Sequence, residues 1–157
     1  MTNKNTSPSI FSRVALIGKF QAEGIGPVLD QLSNLVKLQG CSVWIEEDTA
    51  KFTQNQHRPT INIHEILGNI DVVIVIGGDG TLLGVGRHLA GTNIPVIGIN
   101  TGRLGYMTDI PLQEVESILP QMLAGHYQSD SRKLLEASVI RQGKVTHQGV
   151  ALNDVVV

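Results

Sequence analysis

Residues 71–83, DVVIVIGGDGTLL, constrain the fold more than any other part of the chain. Its five β-branched residues, 72–76, follow one another without a polar break. Such a run is typical of a strand that is buried on both faces, as in a parallel sheet covered by helices. The sequence therefore predicts an α/β architecture with this strand inside a parallel sheet.

A glycine-rich turn, GGDGT at 77–81, ends the predicted strand. Leu82, Val85 and Leu89 then recur at helical spacing, so we expect a helix that opens at Thr81. Backbone N–H groups in such a turn have no side chains before them, and the first turn of a helix adds unpaired donors. The predicted phosphate loop consists of Gly77, Gly78, Gly80 and Thr81.

Asp79 is unexpected in an anion-binding turn, because a carboxylate repels a bound phosphate. It can be tolerated where it binds a metal ion or takes a proton from an attacking hydroxyl group. The alternative is a plain glycine turn at the end of a strand, with Asp79 solvated. We favour the functional interpretation, which makes Asp79 the candidate catalytic residue.

Strands and helices alternate through the first 125 residues. Strands are expected at 13–18, 41–45 and 94–100, and one helix is expected to begin at Pro27 and to end near Gly40. The resulting β-α-β-α-β-α-β order predicts an open, mostly parallel, Rossmann-like sheet with right-handed crossovers and helices on both faces.

Two polar segments follow the second predicted strand. The acidic residues 46–48 stand where α/β proteins place ligand groups, but a solvated loop is the preferred interpretation. Residues 49–59 contain few apolar anchors, and we expect a mobile loop there.

Beyond Gly125 the hydrophobic pattern changes from helical to alternating. Strands are predicted at 134–141, 144–147 and 151–157, the first two joined into a hairpin by Gln142-Gly143. We therefore divide the chain into a flexible tail (1–12), an α/β domain (13–125) and the beginning of a β-rich domain (126–157). The last apolar run continues to Val157, which predicts that the protein is incomplete.

The amino-acid composition argues against several classes of protein. A formal net charge of −2 with mixed signs argues against a nucleic-acid or anionic-membrane partner. No apolar run is long enough for a transmembrane helix. A single cysteine allows no internal disulfide and fits a cytoplasmic location. The five histidines show no i, i+4 pair and no cysteine partner, so no metal-ligating residue is assigned.

Three motifs together resemble those of NAD kinases. GGDGT at 77–81 is similar to the motif of a kinase superfamily that includes NAD kinases, diacylglycerol and sphingosine kinases and, with Ser for Thr, 6-phosphofructokinases. NTGRLGYM at 100–107 resembles the NxGxLGFL segment of NAD kinases, with Tyr106-Met107 in place of Phe-Leu. ALNDVV at 151–156 resembles their Asn-acidic motif. The chain is similar to the N-terminal part of a bacterial NAD kinase.

The resemblance implies a reaction and a set of partners. A phosphoryl group passes from ATP or inorganic polyphosphate to the 2′-hydroxyl of the adenosine ribose of NAD, giving NADP. A divalent cation, Mg²⁺ by expectation, assists, and the full-length protein is expected to be a homo-oligomer. Asp79 carries over as the general base, and the NAD-binding residues would be Asp79, Gly80, Asn153 and Asp154.

Two alternatives stay open at this point. A diacylglycerol-type lipid kinase also carries GGDGT, although the sequence shows neither an apolar anchor nor a basic face for a membrane. A non-catalytic nucleotide-binding module is the stronger competitor, because the sequence only begins the β-rich domain that holds much of the family's substrate pocket. We expect low activity from the chain alone.

Overall fold

The computed structural model of the chain describes residues 8–19, 24–53, 58–103, 105–152 and 154–155. Within these residues six parallel strands form one sheet. The strands are β1 (Arg13–Gly18), β2 (Ser42–Glu46), β3 (Thr60–Ile61), β4 (Val72–Gly77), β5 (Val96–Asn100) and β6 (Ile110–Pro111).

Helices cover both faces of this sheet, as the sequence predicts. The first and last helices pack in one buried cluster, and the third packs in another on the opposite face. None of the described helices is both long and apolar enough to cross a membrane. The helices are α1 (Ile25–Leu38), α2 (Glu47–Ala50), α3 (Asp79–His88) and α4 (Val115–Leu123).

The β-branched run forms β4, whose residues are all buried. Val72, Ile74 and Ile76 pack on one face of the sheet, and Val73 and Val75 on the other. Because side chains of a strand alternate between faces, a strand with helices on both sides needs apolar residues at every position. The predicted buried strand is therefore confirmed.

Strand order places a ligand crevice at a defined point. The order is β3-β2-β1-β4-β5-β6, so the chain winds outward from β1 in one direction and from β4 in the other. In such doubly wound sheets, ligands bind at the carboxyl ends of the strands where the winding direction reverses. The reversal lies between β1 and β4, and the glycine turn directly follows β4.

The first polar segment differs from the predicted solvated loop. Glu46 is only 7% exposed, and its carboxylate accepts hydrogen bonds from Asp48 N, Thr49 N and Thr49 Oγ1, each 2.9 Å long. These bonds cap the first turn of α2. The prediction was wrong for Glu46 because a helix start supplies unpaired N–H groups that make burial of a carboxylate tolerable.

The segment that follows is anchored on both sides. Thr49 is buried, and its hydroxyl accepts a hydrogen bond from Gly18 N at 2.9 Å. Arg58 forms an ion pair with Asp30 and donates to Ser33 Oγ at 3.2 Å. The short strand β3, which the sequence did not predict, follows directly. Residues 54–57, where much of the predicted mobile loop falls, lie outside the described residues.

Past the α/β part, an antiparallel hairpin forms a separate two-stranded sheet of β7 (Leu135–Arg141) and β8 (Lys144–Ala151). Its turn is the predicted Gln142-Gly143, with φ of 49° and 74°, as a type I′ turn requires. The second strand extends beyond the predicted 144–147. Leu152, Asp154 and Val155 lie outside any strand, and positions 153, 156 and 157 fall outside the described residues. The division into domains at about Gly125 stays a prediction.

Backbone protection should differ strongly between the two sheets. Residues of β4 are fully enclosed, whereas almost every residue of β7 and β8 is exposed. Because a two-stranded sheet is at best marginally stable and exposed backbone opens readily, we expect amides of 134–157 to exchange much faster than those of 72–76 in hydrogen-exchange measurements. Equal protection of the two segments would show that the hairpin is as stably folded as the parallel sheet.

Candidate functional site at the glycine turn

The glycine turn joins β4 to α3 through one residue. Gly78 has extended backbone angles, with φ −116° and ψ −173°, and α3 begins at Asp79, two residues before the predicted start at Thr81. Thr81 N and Leu82 N both donate to Gly78 O, at 3.0 and 3.2 Å. The N-terminus of α3 therefore lies directly at the carboxyl edge of the sheet, where its dipole favours anions.

A crevice of about 530 Å³ opens between the ends of β1 and β4. The predicted loop residues Gly78, Gly80 and Thr81 line one side of it. Lys19 at the end of β1 and His88 in the last turn of α3 line it as well. The structure thus brings the glycine turn together with two basic side chains that the sequence analysis had not connected to it.

The three glycines of the turn have different roles. A Cβ atom at Gly78 or Gly80 would meet nothing within 4 Å, so both positions face open space. A Cβ at Gly77 would lie 2.6 Å from Thr81 Oγ1, so Gly77 is needed for the packing of the turn itself. Only Gly78 and Gly80 are therefore placed to let a ligand approach the backbone.

Asp79 faces away from this crevice, toward the loop that follows β5. Its Oδ2 accepts a hydrogen bond from Tyr106 N at 2.8 Å. Its Oδ1 accepts three, from Met107 N at 3.0 Å, Thr108 N at 2.9 Å and Thr108 Oγ1 at 3.0 Å. One carboxylate therefore joins the first residue of α3 to a loop beyond the neighbouring strand.

These donors stabilise the charged form of Asp79. The backbone N–H of Thr108 is the largest cause, followed by those of Tyr106 and Met107, and together they lower the pKa of Asp79 from 3.8 to about 2. Asp79 is consequently an anion at neutral pH and a weak proton acceptor. Since a carboxylate has about four acceptor positions, Oδ1 is saturated while Oδ2 keeps capacity for a further donor.

A second buried polar residue supports the same loop. Asn100, at the end of β5, is 3% exposed and donates from Nδ2 to Thr108 Oγ1 at 2.8 Å and to Thr108 O at 3.2 Å. Its Oδ1 accepts from Gly102 N at 2.8 Å. Sequence reasoning missed the roles of Asn100 and Thr108. The available signal was Asn100, a polar residue at the end of an apolar strand, where burial demands partners; no comparable signal marked Thr108.

The last motif is described only in part. Asn153 lies outside the described residues, and Asp154 is exposed. Leu152 packs against the buried cluster that contains Leu82 and Val85, beside Gly86 of α3. Gly86 is seven residues along α3 from Asp79, which corresponds to about 10 Å at 1.5 Å per residue. The role of Asn153 and Asp154 in binding NAD stays a prediction.

Metal ligands are sparse around the site. In the part of the chain that the structure describes, no group of three or more His, Cys, Asp or Glu side chains is placed to hold a metal ion. His64 and His88 do contact each other edge to face, with ring centroids 5.6 Å apart. The described residues do not fit a cation held by the protein alone.

Gly105 leaves no room for any other residue beside Asp79. A Cβ there would lie 2.6 Å from Asp79 Cγ and closer still to Oδ1. We therefore expect Gly105→Ala to displace the carboxylate, to shift the backbone amide signals of 106–108 in NMR spectra and to lower the thermal unfolding midpoint. Gly102→Ala is the matched control, since a Cβ there meets nothing within 4 Å. Equal effects of the two variants would contradict the close contact.

Comparison with known proteins gives a family match and several relatives. A family model described as the ATP-NAD kinase N-terminal domain matches residues 14–127. The NAD kinase of Ralstonia nicotianae is 45% identical over 157 residues, covering 100% of this chain and 52% of its own length. That of Cupriavidus pinatubonensis is 47% identical over 147 residues, covering 94% of this chain and 48% of its own length. The chain thus spans about half the length of the curated relatives it matches.

Solved structures share the fold at lower identity. Yeast NADH kinase complexed with NADH superimposes with a TM-score of 0.67 at 17% identity, over 98% of this chain and 52% of that one. An NAD kinase from Archaeoglobus fulgidus in complex with ATP gives a TM-score of 0.52 at 22% identity, over 80% and 40%. With the family model covering the whole parallel sheet and its helices, the chain belongs to the ATP-NAD kinase N-terminal domain family.

Proposed function

We propose that this chain is the nucleotide-binding half of an NAD kinase, which transfers a phosphoryl group from ATP or polyphosphate to the 2′-hydroxyl of the adenosine ribose of NAD. The observation that carries the proposal is the glycine turn GGDGT at the point where the winding of the sheet reverses, in a chain of this family. That position is where doubly wound sheets bind nucleotides.

In this proposal the crevice beside the turn binds the phosphates. Gly78 and Gly80 leave the backbone open, and the N-terminus of α3 adds a favourable dipole. Lys19 and His88 line the same crevice, and the Lys19 ammonium group adds a positive charge to it. In a phosphoryl transfer such groups work by positioning the phosphates and stabilising their charge. A Mg²⁺ ion would come with the donor phosphates.

Asp79 is assigned to the acceptor hydroxyl. Its free acceptor capacity lies on Oδ2, so that atom would accept a hydrogen bond from the ribose hydroxyl and orient it for attack. Because the surrounding donors hold the pKa of Asp79 at about 2, it takes the proton only late, when bond formation to phosphorus has made the hydroxyl strongly acidic. Little base strength is needed, since the transition state of phosphoryl transfer is loose.

Further parts of the proposal concern the complete protein. Asn153 and Asp154 would bind NAD together with Asp79 and Gly80, since amide and carboxylate groups suit ribose hydroxyls. The two solved relatives contain NADH and ATP, respectively, which supports these two ligand classes. A homo-oligomer in the cytoplasm is proposed as well. The exposed apolar side chains of the hairpin, among them Val139, Ile140 and Val145, give a reason for association.

Nucleotide binding without catalysis is the competing function. It is favoured by Asp79, whose carboxylate already accepts four hydrogen bonds from the loop after β5. The two functions differ in one measurement, the formation of NADP from NAD and ATP. The chain should be assayed alone and as a chimera in which residues 1–157 are followed by the remaining half of the Ralstonia nicotianae NAD kinase, to which it is 45% identical.

We expect the chimera to form NADP and the chain alone to be at least about 100-fold slower, because a displacement of about 1 Å at a site can cost that much. Isothermal titration with NAD and with ATP provides the control for binding. A folded chimera that binds both nucleotides and forms no NADP would support the binding module instead.

Asp79→Asn in the chimera should lower kcat by about 100-fold or more, the usual contribution of a positioned proton acceptor, while largely sparing the Kd for NAD. An amide keeps the size of the carboxylate and loses its charge and its ability to take the proton. Near-normal turnover of this variant would show that Asp79 does not accept the proton in the reaction.

Gly78→Val should weaken binding of ATP by about tenfold or more, which is about 1.4 kcal/mol, because the added side chain fills the space where a phosphate approaches. The thermal unfolding midpoint should stay unchanged, since a Cβ at Gly78 meets nothing within 4 Å. Gly149→Val, on the exposed hairpin and equally free of contacts, is the matched control. If the folded Gly78→Val variant binds ATP with unchanged affinity, the turn has a structural role and does not bind phosphate.

A further inference from the structure

A relay of hydrogen bonds runs from the end of β5 to the first residue of α3 through the buried side chains of Asn100 and Thr108. We propose that Thr108 and Asn100 are positioning residues for Asp79, with Asn100 orienting the Thr108 hydroxyl and that hydroxyl fixing the carboxylate and its proton affinity. The structural part of this proposal stands independently of the enzymatic activity, and its consequence for turnover rests on the proposed function.

The direction of each hydrogen bond in the relay follows from its neighbours. Gly102 N can only donate, and it lies 2.8 Å from Asn100 Oδ1, which identifies that atom as the amide oxygen. The amide nitrogen of Asn100 then faces Thr108 Oγ1 at 2.8 Å. Because this nitrogen can only donate, the Thr108 hydroxyl must accept on that side. Its own hydrogen is consequently free to point at Asp79 Oδ1, 3.0 Å away.

Burial makes the relay rigid. Thr108 is 0% exposed, and Asn100 lies beside it at the bottom of the loop. Water cannot replace a lost partner there without a cavity, and a buried donor left without an acceptor is costly. The four polar atoms of the relay therefore have one arrangement that satisfies all of them, and that arrangement presents a donor to Asp79.

The hydroxyl of Thr108 is the one side-chain donor to Asp79 in the described part of the chain; the other donors are backbone N–H groups. Backbone groups are present whatever the residue is, so residue identity acts on Asp79 through this hydroxyl. Removing it withdraws a hydrogen bond from the charged form, which raises the pKa of Asp79 toward its ordinary value.

Thr108→Val is the direct test, because valine keeps the shape of threonine and loses only the hydroxyl. The carboxyl carbon of Asp79 is titrated by NMR in the 157-residue chain. We expect its pKa to rise measurably toward the ordinary value, but to stay well below it, because the three backbone N–H groups remain and each of them lowers the pKa more than the Thr108 hydroxyl does. Thr108→Ser, which retains the hydroxyl, should restore the wild-type value. Thr146→Val is the matched control, since that hydroxyl donates to Val139 O on the exposed hairpin.

Asn100→Ala provides a second and independent variant. It leaves the Thr108 hydroxyl in place but frees it to turn, so the pKa of Asp79 should rise here too, by less than in Thr108→Val. The amide spectrum of 72–76 shows whether each variant retains the sheet. An unchanged pKa of Asp79 in folded Thr108→Val would overturn the proposal, as would a rise of equal size in the Thr146 control.

Turnover of the chimera separates this inference from the proposed function. Thr108→Val should lower kcat by about tenfold to a hundredfold through loss of orientation, with KM for NAD changed by less than about twofold and recovery in Thr108→Ser. If the pKa of Asp79 rises in Thr108→Val while the unmutated chimera forms no NADP, the relay is supported and the proposed kinase activity is rejected. If the unmutated chimera forms NADP and Thr108→Val keeps a normal kcat, the kinase activity is supported and the positioning role of Thr108 is rejected.

Discussion

The hydrogen bonds between the Asp79 carboxylate and the loop after β5 hold the site together. Three consecutive backbone N–H groups, those of Tyr106, Met107 and Thr108, donate to one side chain at the start of α3. Anions are stabilised by such donors much as they are at a helix N-terminus. Gly105 makes the approach possible, since any side chain there would overlap the carboxylate. The two glycine-bearing segments of the sequence are thus one unit in three dimensions.

The turn after β4 has two sides with different chemistry. On the side of β1, Gly78 and Gly80 leave the backbone open to a crevice, and Lys19 brings a positive charge. On the side of β5, Asp79 is turned away and its negative charge is stabilised by hydrogen-bond donors, so the carboxylate does not face the crevice. The Asp79 carboxylate and the open backbone of Gly78 and Gly80 therefore face different sides of the same turn, and phosphate and hydroxyl chemistry can lie side by side.

The hairpin stands apart from this compact unit. Its apolar side chains, such as Ile140 and Val145, are more than half exposed, and both strands have a free edge. Exposed edges and apolar faces of this kind favour association with other strands. After the hairpin, Leu152 packs beside Gly86 of α3. This contact places Leu152 beside the same helix that begins at Asp79.

The parallel sheet, the glycine turn and the hairpin could be predicted from the sequence, because each is encoded locally: a run of β-branched residues, a cluster of glycines, a change of period. The strand β3 could not, since two residues carry too weak a pattern and are held by pairing with β2. Nor could the burial of Glu46 or the relay from Asn100 through Thr108 to Asp79. Their residue types suit solvent equally well, and only the meeting of chain segments far apart in sequence supplies the partners that make a buried polar group stable.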